Sequence, residues 1–316
     1  MRLFCVAILW FVMAGMPTTQ AAAPKDPFKS QSDILKWIAG YKAKPEPNRL
    51  PDAVRAMSAF GAFRDLDQAG IYIGFMAGVL GSNSAKAEVL VARMFPMPPE
   101  DQVAIVRAIA YSGIPEWKQI LEKFIERMPA RKVLIQHHLY GKAPTLETLP
   151  LDQSPAALDT LWGFYFATGS PAPVRRIVSV LTWARDGNNV EKLTLGSMAK
   201  WTLATNAQKD HQLLMHLKNE MNRQPKEVLR ELREVIEAAE TFETGRLRKD
   251  AVAAIEELKR KGPQSVRNTA FWGQAGQTAL ALGCVVAGVL GQAEIAVPCV
   301  VGGAVSSAAL KLMAPQ

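Results

Sequence analysis

The stretches AIAYSGIPEWKQILEKFI (108–125) and FYFATGSPAPVRRIVSVL (164–181) share one pattern at an offset of 56 residues. Gly113 aligns with Gly169, and a proline follows two positions later in each copy. Behind the turn come Ile120, Leu121, Phe124 and Ile125 in one copy, and Ile177, Val178, Val180 and Leu181 in the other. Those apolar positions put one helix face against the preceding helix, and a Gly-x-Pro turn is short enough to force an antiparallel hairpin. A looser copy, GFMAGVLGSNSAKAEVLVARMF (74–95), uses GSNS as its turn. Three related helix pairs predict stacking.

Outward from this repeat the body of the chain reads as helix after helix, with apolar residues recurring at three and four positions and no convincing strand. The pattern predicts helices over 32–41, 51–63, 67–80, 84–95, 99–112, 115–128, 131–140, 154–168, 171–185, 190–205, 207–222, 225–243 and 247–261. Many open with Pro or Ser and stop at Gly or Asn. A fixed φ suits a first helical turn, and a left-handed residue suits a C-terminus. The expected fold is all-α, a set of stacked antiparallel helix hairpins followed by an apolar helical hairpin at the C-terminus. On these helix pairs the chain resembles α-solenoid proteins of the tetratricopeptide or HEAT type over roughly residues 32–261. That resemblance is architectural. It implies a concave surface offered to a peptide, protein or polymer, and carries over no binding residue.

The two ends differ from the body. Arg2, the apolar run LFCVAILWFVMAGM (3–16), Pro17 and then TTQAAAP form the layout of a secretory signal peptide. The run is shorter than the roughly 20 residues of a membrane span. Thr19 and Ala21 supply the small residues for a cut after Ala21. Residues 1–21 are therefore read as a signal peptide and 22–31 as a linker. Residues 32–222 are the helical-repeat domain, 223–262 a charged amphipathic hairpin turning at ETGRLR, and 263–277 a second linker. Residues 278–316 form a Gly-rich apolar tail. Within it, Gly291 to Glu294 divide two arms of about 15 residues, each too short to span a bilayer alone. Gly283, Gly288, Gly302 and Gly303 would let helix backbones approach closely in lipid. A membrane-associated hairpin over 278–310 is the expectation, in an exported, periplasmic or extracytoplasmic protein.

Signal removal leaves Cys284 and Cys299 as the only cysteines. In an oxidising compartment they are disulfide partners, provided facing arms bring their Cα atoms to roughly 4.4–6.8 Å. The alternative is two free, buried cysteines packed as small apolar residues.

The chain carries a formal charge of +8 and 49% hydrophobic residues. Such a protein buries a large core, and its basic balance serves either attraction to anionic lipid heads or acidic polymers or simple solubility. Export argues against a nucleic-acid partner. No G-x-S-x-G, H-E-x-x-H, G-x-x-x-x-G-K-[ST] or C-x-x-C occurs. His137 and His138 lie about 100° apart on a helix, poor geometry for a shared metal. His211 and His216, five apart, also miss a common face. Asp65 with Asp67, and Glu256 with Glu257, sit in charged stretches typical of a solvated face. The expectation is thus a non-enzymatic protein with no cofactor or metal.

Binding candidates are Trp162 and Tyr165, from an aromatic group that includes Phe164 and Phe166, with Arg175 and Arg176 close behind for an anionic partner. Core packing is the alternative role for the aromatics. The resulting expectation is an exported interaction scaffold with a protein or peptide partner. Two rivals stand beside it: a secreted hydrolase of envelope polymers with a site assembled from scattered residues, and a conditionally membrane-inserting protein.

Overall fold

The computed structural model describes residues 28–262. The signal segment, and the apolar tail with Cys284 and Cys299, lie outside these residues. Among the described residues there are thirteen α-helices and no strand. They are α1 (Gln31–Tyr41), α2 (Leu50–Ala59), α3 (Gly70–Ser82), α4 (Ser84–Ala92), α5 (Gln102–Ala110), α6 (Trp117–Phe124), α7 (Lys132–Tyr140), α8 (Pro155–Thr168), α9 (Pro171–Ser179), α10 (Val190–Lys209), α11 (His211–Glu220), α12 (Lys226–Glu240) and α13 (Gly245–Lys261). The all-α expectation holds, and none of these helices is long and apolar enough to cross a membrane.

Local chemistry sets the hairpins. Gly113 ends the α5 side of its turn at φ +73° and Gly169 ends α8 at φ +67°, both in the left-handed region that lacks a steric penalty only for glycine. Ser154 and Ser170 cap α8 and α9 by accepting from the Ala156 and Ala172 N–H groups, with Pro155 and Pro171 at the first helical positions. The repeat's apolar stripe is buried in both copies, at Ile120, Leu121 and Phe124 and at Ile177, Val178, Val180 and Leu181. Several boundaries differ from expectation. The 171–185 helix breaks after Ser179 into a 3-10 turn, Leu181–Arg185. The expected stop near Thr205 is absent. α10 continues to Lys209, and the break falls at Asp210, whose carboxylate caps α11 by accepting from the Leu213 N–H. Gly245 opens α13 rather than closing α12. The turn before it is made instead by Phe242, at φ +60°.

At the centre lie α3 and α8, which share the most extensive contact between elements. Every residue of α3 from Gly70 to Leu80 is buried, so this helix has no solvated stripe and fills the middle of the protein. The two helices run side by side in the same direction. Gly70 faces Ala156 and Asp159, Gly74 faces the Thr160 backbone, and Gly78 faces Phe164 and Ala167. From the other side, Gly163 meets the Ile71 carbonyl. A methyl group on Gly74 or Gly163 would overlap these backbone atoms, so the close approach exists only because the side chains are absent. α5 packs on the other flank of α3, giving the spatial order α5, α3, α8 for the first helices of the three hairpins.

The second half gathers around α10, with α11, α12, α13 and the 181–185 turn packed upon it. The charged hairpin of α12 and α13 is therefore laid along α10. Its apolar stripe, including Leu232, Val235, Ala251 and Ile255, is buried, while its charged faces look outward. Polar ties from α8 help to join the halves. The Trp162 indole N–H donates to Thr202 Oγ1 at 3.2 Å, and the Tyr165 hydroxyl donates to Asp210 at 2.7 Å.

The same substitution should act with opposite sign at two glycines. Gly74→Ala forces α3 from α8 and should lower stability by more than about 3 kcal/mol in chemical denaturation, at or beyond the usual overpacking range. Gly40→Ala, at an exposed α1 position with no atom within 4 Å, should raise it by about 0.5–1 kcal/mol.

Candidate functional site

The two glycine turns of the repeat face one another across an open cleft of about 460 Å³. Gly113, Ile114 and Pro115 form one lip, and Ser170, Ala172 and Pro173 the other. Leu161 lines the cleft from α8, with Tyr111, Trp117 and Phe164 beside it and residues 145–147 as a wall. The surface is mostly apolar, with unused aromatic donors. Neither the Tyr111 hydroxyl nor the Trp117 indole N–H has a hydrogen-bond partner among the described residues. Burial pushes the Tyr111 hydroxyl up, against the nearby charge of Arg107, so it stays protonated and able to donate.

Of the sequence candidates, Arg176 is brought to this cleft. Its guanidinium donates to the Leu146 and Leu149 carbonyls, which pins the 145–149 wall to α9. Burial depresses its pKa, and Glu147 partly restores it. Arg175 lies elsewhere and approaches the buried Glu220 carboxylate at 3.8 Å. Trp162 and Tyr165 are fully buried. Trp162 stacks on Phe166 at 5.6 Å, and its indole is spent on Thr202. Tyr165 sits in a node in which the Lys42 ammonium donates to its hydroxyl at 3.0 Å and also to Asp210. Burial and the Asp210 carboxylate raise the Tyr165 hydroxyl far above its ordinary value. Burial alone would also raise Asp210, but hydrogen bonds from Lys42, Tyr165 and the Leu213 N–H outweigh it and hold this carboxyl low. These aromatics are core. On α8 the cleft-facing residues are Leu161 and Phe164, one turn apart on the opposite side of the helix from Trp162 and Phe166.

Sequence reading missed Tyr111, Ile114 and Trp117 as site residues. The signal that could have found them is the repeat itself, because the two aligned turns enclose the cleft. It also missed the Gly70, Gly74 and Gly78 spacing that seats α3 on α8. The histidines are scattered. His216 contacts the Gly169 carbonyl at 3.3 Å, and His138 is buried on α7. Among the described residues no three His, Cys, Asp or Glu side chains converge as a metal site. The cleft's titratable groups are Tyr111, Glu147 and Arg176. Comparison with protein-family models, with curated proteins and with solved structures gives no match.

His138 provides a pH test of this half of the molecule. Burial, then the charges of Arg107 and His137, lower its pKa from 6.5 to about 4, and its Nδ1 has no partner. Between those values the unfolded chain takes up a proton that the folded chain refuses, so stability falls as pH drops from 6.5 to 4. The expected loss is about 1–2 kcal/mol, less than the full equivalent of the shift because local relaxation and water penetration soften the burial penalty. His138→Gln should flatten that part of the stability profile, measured by denaturant titration at each pH.

Proposed function

We propose that this protein is a non-enzymatic, exported helical-repeat scaffold. It holds an extended, largely apolar peptide segment of a partner protein in the cleft between its two repeat turns, and residues 278–310 attach it to a membrane. The observation that carries the reading is the convergence of both turns on one mostly apolar cleft that offers the unused donors Tyr111 O–H and Trp117 N–H. An extended peptide has backbone carbonyls to meet such donors and side chains to fill the space between Ile114, Phe164 and Pro173. Aromatic anchors in a partly desolvated cleft dominate interface energetics. The Arg176 clamp keeps the 145–149 wall in place without a ligand, which lowers the ordering cost of binding. Export and attachment rest on the apolar segments 3–16 and 278–310.

Peptides selected from a displayed library on the full chain should lose about 30-fold in affinity with Trp117→Ala, as for a hot-spot aromatic. Phe242→Ser, at an exposed aromatic outside the cleft, should change nothing. Selected binders indifferent to Trp117→Ala would remove the cleft from the proposal, and turnover of an envelope polymer by the purified chain would replace the scaffold with a hydrolase. In fractionation, the full chain should sediment with membranes and a chain ending at residue 277 should stay in the supernatant. If both remain soluble, the tail is part of the core rather than an anchor.

A further inference from the structure

A second cavity, of about 340 Å³, lies between the 181–185 turn, α10, α12 and the start of α13. Its floor is a saturated charge cluster. The Lys200 ammonium, 8% exposed, bonds Glu231 at 2.6 Å and Glu234 at 2.8 Å, and the Arg185 guanidinium binds the same two carboxylates. Burial alone would raise the Glu234 carboxyl, but Lys200, Arg246 and Arg185 outweigh it and keep it ionised. Both glutamates are thus occupied from within the protein, which leaves an excess of donors around the cavity.

Three observations describe that excess. Ser197, only 4% exposed, lines the cavity with a hydroxyl that has no partner among the described residues. Arg230 lines it with an equally unpaired guanidinium, and Arg246 is held only by a 3.5 Å contact with Glu234. α13 brings its first turn, Arg246 and Leu247, to the rim, and Thr244 supplies no side-chain cap to the N–H groups there. One unpaired guanidinium, a second held by a single long contact, a buried hydroxyl and an uncapped helix N-terminus are together the donor set for a tetrahedral oxyanion. Asp250 is the one lining carboxylate outside the saturated cluster, and it works against an anion.

The geometry points to an oxyanion site of the phosphate or phosphoester class, held by Arg230, Arg246 and Ser197 over the Lys200 cluster. It is separate from the peptide cleft and does not depend on it. The same phosphoryl chemistry is offered by a lipid headgroup and by a soluble phosphate ester.

Inorganic phosphate titrated into the full chain, against chloride of matched ionic strength, should raise the unfolding temperature saturably by about 3 °C. The double variant Arg230→Gln/Arg246→Gln changes two exposed side chains and should retain the fold while losing this shift. Asp250→Asn should move the phosphate midpoint about fivefold lower by removing the opposing charge. No excess over chloride, an equal shift in the double variant, or a weaker midpoint in Asp250→Asn would each overturn the site. Vesicles of phosphatidylglycerol and of phosphatidylcholine then identify the source. If the double variant loses the preference for phosphatidylglycerol, the phosphoryl group is a headgroup's. If it keeps that preference but loses the phosphate shift, the ligand is soluble, and either result upholds the site.

Discussion

Where α3 meets α8, backbone touches backbone, and the remaining helices are arranged around that contact. Gly70, Gly74 and Gly78 present a smooth ridge to the Ala156, Thr160 and Phe164 turns, and Gly163 returns the arrangement against Ile71. At such a distance dispersion contacts are dense and no side chain intervenes, so the relative position of the two helices has little freedom. α5 rests on one flank of α3, while α8 carries α9 and, through Trp162 and Tyr165, the α10 half of the molecule. The cleft between the repeat turns exists because α3 holds α5 and α8 side by side with their C-terminal ends, and hence both glycine turns, on one edge.

Several polar groups in this protein serve as joints between elements far apart in sequence. Lys42, Tyr165 and Asp210 link α1, α8 and the start of α11, a span of 168 residues between the two charged partners. Asp210 is at once a helix cap and an ion-pair partner, so one carboxylate determines both where α10 ends and what its end touches. The Lys200 cluster plays a similar part between α10, α12 and the 181–185 turn. A buried pair of this kind offers little net stability over an apolar replacement, but it penalises any packing that leaves a charge unpaired. That penalty disfavours registers of α12 on α10 that would separate these charges.

Legibility in the sequence followed the range of the interactions. Helix positions and the hairpin turns were readable because their causes lie within a few residues: Ser154 and Pro171 at helix starts, and Gly113 and Gly169 at left-handed turns. Boundaries failed where a tertiary partner intervened. Asn206 lies buried in the last turn of α10, where its carbonyl accepts from the Asp210 N–H, so the helix runs past it and the break falls at Asp210. The aromatic group at 162–166 was visible as a cluster but not as a set of directions. Periodicity showed that α8 is apolar almost all round, and a helix without a polar face gives no hint of which aromatics point to core and which to a cleft. Arg176 was legible as a cation near the site, but its role as a clamp on the Leu146 and Leu149 carbonyls was not.

The amino-acid order by itself determined an all-α chain of paired helices with apolar ends, since turn chemistry and a 3.6-residue stripe are local properties that need no partner to be expressed. Only the tertiary structure decided that α3 lies between α5 and α8, that the two repeat turns enclose one cleft, and that Ser197 and Arg230 overlook a cluster of satisfied charges. Those outcomes depend on which surfaces fit at contact distance. Shape complementarity between residues some 90 positions apart, such as Gly74 and Thr160, leaves no periodic trace in the chain.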